Sequence, residues 1–116
     1  FASRAHLKSK VNSKIYRKIA GECLSLLISF LLGIKVKDTQ CGFKLYKNTI
    51  AKEIFSKLIF LGYEHDLEIV LLLRDRKIII DELPVTWNHV SDSKVNILLD
   101  SFKVLYKILL MKLRYK

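Results

Sequence analysis

Residues 38–47, DTQCGFKLYK, hold an acid, an amide, a thiol, a glycine and two lysines. Each residue type carries a chemistry. Asp38 can accept a proton or orient a hydroxyl. Gln40 offers both a donor and an acceptor. Gly42 allows a close backbone approach or a positive φ. Lys44 can meet a phosphate as a point charge. The same stretch also reads as an ordinary turn, with Asp38 as a local cap and Cys41 as a small buried hydrophobe. The residues alone leave both readings open.

Further along, GYEHDLE places Asp66 and Glu68 at the start of an apolar run. Two positions apart on a helix, they do not share a face. One can point into a cleft while the other pairs outward. Acids near a helix N-terminus are also simply stabilising, by a few tenths up to about 1 kcal/mol. Arg4, after Ser3, and Arg17, between Tyr16 and Lys18, suit bidentate phosphate contact, and suit a plain surface as well. Trp87, in PVTW, fits either the rim of a cleft or core packing.

These residues need elements to hold them. Phe1 to Arg4 reads as the end of a strand, and polar Ser9 to Ser13 as a loop. Ser13 to Leu32 is helical, with Ile15, Ile19, Cys23, Leu26, Leu27 and Phe30 recurring at steps of three and four. Ser13 is its cap and Gly33 its stop. Asp38 to Tyr46 predicts a turn followed by a short strand. Asn48 caps a helix to about Leu58, and a second short helix runs from about His65 to Arg74. Lys77 to Trp87, with Ile78, Ile79 and Ile80, is the best strand, with Pro84 at an edge or bulge. A last helix, about Lys94 to Arg114, sets Ile97, Leu98, Phe102, Leu105, Leu109 and Leu113 opposite lysines. The order is α/β with few strands, like the second half of a doubly wound sheet.

Composition bounds the rest. At 116 residues the chain is one small domain or a piece of a larger one. Apolar content of 51% argues against disorder. The net charge of +10 suits an anionic surface or a phosphorylated substrate. Lysines and arginines gather towards both ends. Cys23 and Cys41 make no disulfide framework and have no partner at zinc-ligand spacing. The run from Leu24 to Ile34 falls short of the roughly 20 apolar residues that span a bilayer. No secretory leader is seen. The start at Phe1 suggests a preceding segment. Aromatic residues do not interleave with the basic clusters as a nucleic-acid stacking surface would require, so nucleic acid is not an expected partner.

In order and in spacing, SRAHL, Arg17, DTQCGFKLY, GYEHDLEIV, ELPVTW, SDSKV and the closing LRY resemble the dolichyl-phosphate β-glucosyltransferase family. The likeness runs through nearly the whole chain. It implies a membrane-bound, inverting family-2 glycosyltransferase with a GT-A (nucleotide-diphospho-sugar transferase, Rossmann-like) fold. Residues 1–116 would be a single partial domain, the acceptor-side, C-terminal half, ending in a basic amphipathic helix. The reaction implied is transfer of glucose from UDP-glucose to dolichyl phosphate for protein N-glycosylation, on the cytosolic face of the endoplasmic reticulum membrane.

The resemblance puts Arg4, Arg17 and Lys44 on phosphate. It puts Asp38 on sugar hydroxyls or in a base-like role, and Gln40 at the sugar. Asp66 and Glu68 match the family's acidic pair beside the reaction centre, and Trp87 stands at the substrate cleft. The basic last helix would lie on the membrane surface, and the apolar Leu24–Leu32 face would meet the lipid tail or the core. The family's nucleotide-binding strands and its Asp-x-Asp motif, which serves Mg²⁺ or Mn²⁺, have no counterpart in these residues, so the ligands of that ion are expected outside them. Two other functions stay open: a mannosyl or other polyprenyl-phosphate glycosyltransferase, and a non-catalytic basic module that binds membranes or a partner.

Overall fold

The computed structural model describes residues 1–13, 15–62, 64–88 and 97–115, apart from the side chains of residues 17 and 97–104. The expected helix start at Lys94 lies outside the described residues, as do the side chains of Arg17, Ile97, Leu98 and Phe102.

Among the described residues, four helices and four very short strands follow one another as β1 (Ala2–Ser3), β2 (Lys10–Asn12), α1 (Ile15–Leu32), α2 (Asn48–Phe55), α3 (His65–Asp75), β3 (Leu83–Pro84), β4 (Thr86–Asn88) and α4 (Ile97–Arg114). This is a small α/β arrangement. The strands make two parallel pairs, β1 with β3 and β2 with β4, in register Ala2 opposite Leu83 and Val11 opposite Trp87. Parallel partners need long crossovers, and here most of the chain lies between them.

The centre is α3. Leu67 to Leu73 are all buried, and Leu67, Glu68 and Leu71 are fully so. One side of α3 packs Leu67, Val70 and Leu71 with Ile28 and Leu32 of α1 and Ile108 and Met111 of α4. The other packs Ile69, Leu72 and Leu73 with Ile54 of α2. A helix that is apolar on all sides belongs in the middle of a core.

Arg74 ties three elements together. It donates through Nη1 to the Leu32 carbonyl at 2.5 Å and through Nη2 to the Tyr115 carbonyl at 3.1 Å. These carbonyls stand at the ends of α1 and α4, where intrahelical donors run out. Gly33, at φ 63°, closes α1 in the left-handed region, as expected for its stop.

Several expectations change. Residues 9–13 hold a strand, β2, because Lys10 donates to the Val85 carbonyl at 3.0 Å and aligns this polar segment beside β4. Residues 38–47 form no strand. Their backbone is irregular and is tied down by single hydrogen bonds, such as Ala2 N–H to the Phe43 carbonyl at 3.0 Å. The strand expected over 77–87 shrinks to β3 and β4, with Lys77 at φ 56° turning the chain out of α3. At α2, Lys47 holds the cap position with extended backbone, Asn48 is already helical, and the helix ends at Phe55.

The face of α1 also differs. Ile15, Ile19, Leu26 and Phe30 are exposed, while Leu24, Ile28, Leu31 and Leu32 turn inward. Both stripes are apolar, so periodicity alone could not choose between them. Among the described side chains of α4, Ile108 and Met111 turn inward, and Leu109 and Leu113 of the expected face are exposed.

Candidate active site

The loop 38–44 meets β1, where the Ala2 N–H donates to the Phe43 carbonyl and Arg4 follows directly. Arg4 follows β1 and Trp87 lies within β4, so the strand pairing itself brings residues far apart in sequence to one place. Arg4 forms a side-on fork with Asp38: Nε donates to Oδ2 at 2.8 Å and Nη2 to Oδ1 at 2.9 Å. The Arg4 backbone N–H also donates to Oδ2, at 2.8 Å, and the Gln40 N–H to Oδ1, at 3.3 Å. The guanidinium carbon lies 5.5 Å from the centre of the Trp87 ring, within cation–π range.

Charge follows this geometry. The hydrogen bond to Asp38 raises the Arg4 pKa further, against the effect of burial. Burial pushes the Asp38 carboxyl up, but the side-chain and backbone hydrogen bonds from Arg4 together outweigh it and hold the carboxyl below its ordinary value. Asp38 is 8% exposed and Arg4 about a third exposed, so the pair opens to solvent on the arginine side.

Glu82 fixes the loop from behind. Its carboxylate accepts from the Lys37 N–H at 3.2 Å and the Asp38 N–H at 3.3 Å. The acid of ELPVTW, directly before the Leu-Pro of β3, was the available signal for this residue, and its role depends on a register that cannot be read from the string.

The other end of the loop carries a second charged pair. Lys44 Nζ donates to Asp66 Oδ1 at 2.7 Å and to the Cys41 carbonyl at 2.7 Å, and its side chain is 5% exposed. His65 Nε2 stands 3.3 Å from the same Asp66 oxygen. Asp66 thus faces the loop from the first turn of α3.

Glu68 turns the other way, as the spacing required. It is fully buried, accepting the Ile59 and Phe60 N–H groups at 2.9 Å each and the Tyr115 hydroxyl at 2.6 Å. Here it fastens the chain before α3 to the end of α4 and lies away from the loop.

Of the residues singled out in the sequence, then, Arg4, Asp38, the Gln40 backbone and Trp87 come together, and Lys44 joins Asp66. The Gln40 side chain is exposed. Gly42 adopts no positive φ, and a Cβ there would meet nothing within 4 Å. The chain's own packing therefore places no demand for glycine at this position. Among the described residues no group of three His, Cys, Asp or Glu side chains is placed to hold a metal ion. These described residues offer Mg²⁺ or Mn²⁺ no ligand set.

Comparison with known proteins gives this arrangement a family. The chain is 34% identical over 117 residues to a glycosyltransferase of Saccharomyces cerevisiae, dolichyl-phosphate β-glucosyltransferase, with 97% of this chain and 35% of that protein covered. It is 30% identical over 115 residues to the Homo sapiens protein of the same name, covering 97% and 36%. A Trichomonas vaginalis protein, also a dolichyl-phosphate β-glucosyltransferase by name, is 36% identical over 97 residues, covering 82% and 29%. No family model and no solved structure matches. The chain belongs to the dolichyl-phosphate β-glucosyltransferase family, as a C-terminal portion of it. It spans about a third of the length of the curated relatives it matches.

Proposed function

We propose that the protein carrying this chain transfers glucose from UDP-glucose to dolichyl phosphate, with inversion, giving dolichyl β-D-glucosyl phosphate for protein N-glycosylation. The observation that carries this reading is identity along 97% of the chain to a protein of that name, with Arg4, Asp38 and Trp87 assembled at one end of the strands. The 116 residues form the acceptor-side part of a GT-A fold. The divalent ion, Mg²⁺ or Mn²⁺, and most of the nucleotide site belong to the portion of the family's length that this chain does not span.

The acceptor phosphate is already ionised near neutral pH, so the reaction asks for charge balance and orientation more than for a strong base. Arg4 and Lys44 supply positive charge on either side of the loop, and Arg17 is a third candidate. Room at Gly42 suits the close approach of a ligand to the backbone. Asp66, held by Lys44, is the carboxylate that faces the loop. The enzyme works at the cytosolic face of the endoplasmic reticulum membrane. No described helix is long and apolar enough to cross a bilayer, and the basic, partly apolar α4 suits the leaflet surface.

The test is an assay of the full-length protein with UDP-glucose and GDP-mannose in competition for dolichyl phosphate. Incorporation of glucose alone is expected. Incorporation of mannose alone would place the protein with the mannosyl enzymes, and no transfer from either donor would favour the non-catalytic binding module.

A further inference from the structure

Asp38 is the acid that the loop presents most obviously for proton transfer or for sugar hydroxyls. Its surroundings leave it little capacity for either. A carboxylate has about four acceptor positions. Oδ2 accepts the Arg4 N–H and Nε–H, both at 2.8 Å, and Oδ1 accepts Arg4 Nη2 at 2.9 Å and the Gln40 N–H at 3.3 Å. The carboxylate is 8% exposed, and Glu82 fixes its own backbone from behind.

The guanidinium is held in the complementary way. Of its five N–H donors, the fork uses Nε–H and one on Nη2. Its central carbon lies over the Trp87 ring, 5.5 Å from the ring centre. Nη1 meets no acceptor among the described residues. What remains is the end-on edge formed by Nη1 and the second Nη2 hydrogen. Two parallel N–H groups on one rigid plane match two oxygens of a phosphate.

We infer that Asp38 is a positioning residue, which clamps Arg4 side-on so that the end-on edge of the guanidinium receives a phosphate group of a substrate, and that Asp38 is not the proton acceptor of the reaction. This rests on the proposed transfer only for the identity of the phosphate. That group is either the monoester of the lipid acceptor or the diphosphate of the sugar nucleotide, and the two KM values distinguish them. Arg4 is the residue that touches substrate, and Asp38 and Trp87 set its plane.

The experiment uses the full-length protein with Asp38→Asn, Arg4→Lys and the double variant, with KM for each substrate and kcat followed against pH. An amide at position 38 cannot accept at both arms of the fork, and a lysine at position 4 cannot form one. Both single variants are expected to raise the KM of the same phosphate substrate by about tenfold or more while kcat changes by less than about threefold. The acidic limb of kcat keeps its midpoint. The double variant is expected to be no worse than the poorer single one, because the two residues act as one unit.

A fall in kcat of about a hundredfold at unchanged KM, with loss of the acidic limb, would mark Asp38 as a base and overturn the inference. Additive defects would overturn it too. Should Asp38→Asn fail to fold, Arg4→Lys decides alone: an acidic limb that moves upward would show Asp38 titrating in catalysis, and an unmoved limb supports the clamp. Should the wild type transfer no glucose, the proposed function fails separately. Calorimetric binding of farnesyl phosphate and of UDP to wild type and Arg4→Lys then reads the clamp, with at least about a tenfold loss for one of them expected and equal affinity for both overturning it.

Discussion

Asp38 and Glu68 are both buried acids, and their partners give them different work. Asp38 meets a cation at a solvent-open edge. Glu68 meets two backbone N–H groups and a phenol inside the molecule. Glu68→Ala removes the acceptor and leaves the Ile59 and Phe60 N–H groups and the Tyr115 hydroxyl without it. It is expected to destabilise the fold by about 1–3 kcal/mol, read from a urea transition.

Acid sensitivity follows from the depressed carboxylates. Asp38 lies below its ordinary 3.8 and Glu64 below its ordinary 4.5, the latter because the bond from Lys107 and nearby backbone outweigh its burial. Each holds its proton more weakly folded than unfolded. Each therefore stabilises the fold fully above its unfolded value, and that contribution fades as pH falls through 4.5 and 3.8 towards the folded values. Melting temperature is expected to drop over that window, and less steeply in Lys107→Ala, where Glu64 loses its partner.

Among the elements, α1 shows what a string of residues can and cannot convey. Its existence and its end were legible: an apolar period, then Gly33 at φ 63°. Gly33→Ala is expected to cost about 1–2 kcal/mol by chemical denaturation, because a Cβ disfavours the left-handed region. Its nearest neighbour, Arg74 Nη1, lies at 3.8 Å, an ordinary contact, so the cost is conformational. Which face of α1 turns inward was not legible, because Ile15, Ile19, Leu26 and Phe30 are as apolar as the stripe that is buried. Strand content misled for a related reason. Ile78, Ile79 and Ile80 favour extended backbone, but no neighbouring strand pairs with them among the described residues. The pairing of Lys44 with Asp66 was equally hidden. Each residue was singled out alone, and only the seating of the loop against the first turn of α3 makes them partners.

At the scale of the whole molecule, large apolar side chains on α1 and on α4 are exposed: Leu26 is 72% exposed, Phe30 84% and Leu113 69%. Faces of this kind drive association. Leu26→Ser with Phe30→Ser is expected to raise solubility while leaving the denaturation midpoint within about 0.5 kcal/mol of wild type, since these side chains pack on little within the chain. A clear loss of stability in that double variant would show that the face is internally packed.

The strand pairs carry a consequence for how the site comes into being. Ala2 lies beside Leu83, and Lys10 beside Thr86, so each pair closes a loop of most of the chain. Contacts between such distant residues form late, after the entropy of closing the loop has been offset by local helices and their packing. Two- and three-residue strands add few hydrogen bonds once closed. The junction that carries Arg4, Asp38 and Trp87 is therefore the last part to assemble and the first to open. In native-state hydrogen exchange, the Lys10 and Leu83 amides should exchange well before those of Val70 and Leu71 in α3. A phosphate ligand that bridges the junction would then act as its clasp, slowing exchange there while leaving α3 unchanged.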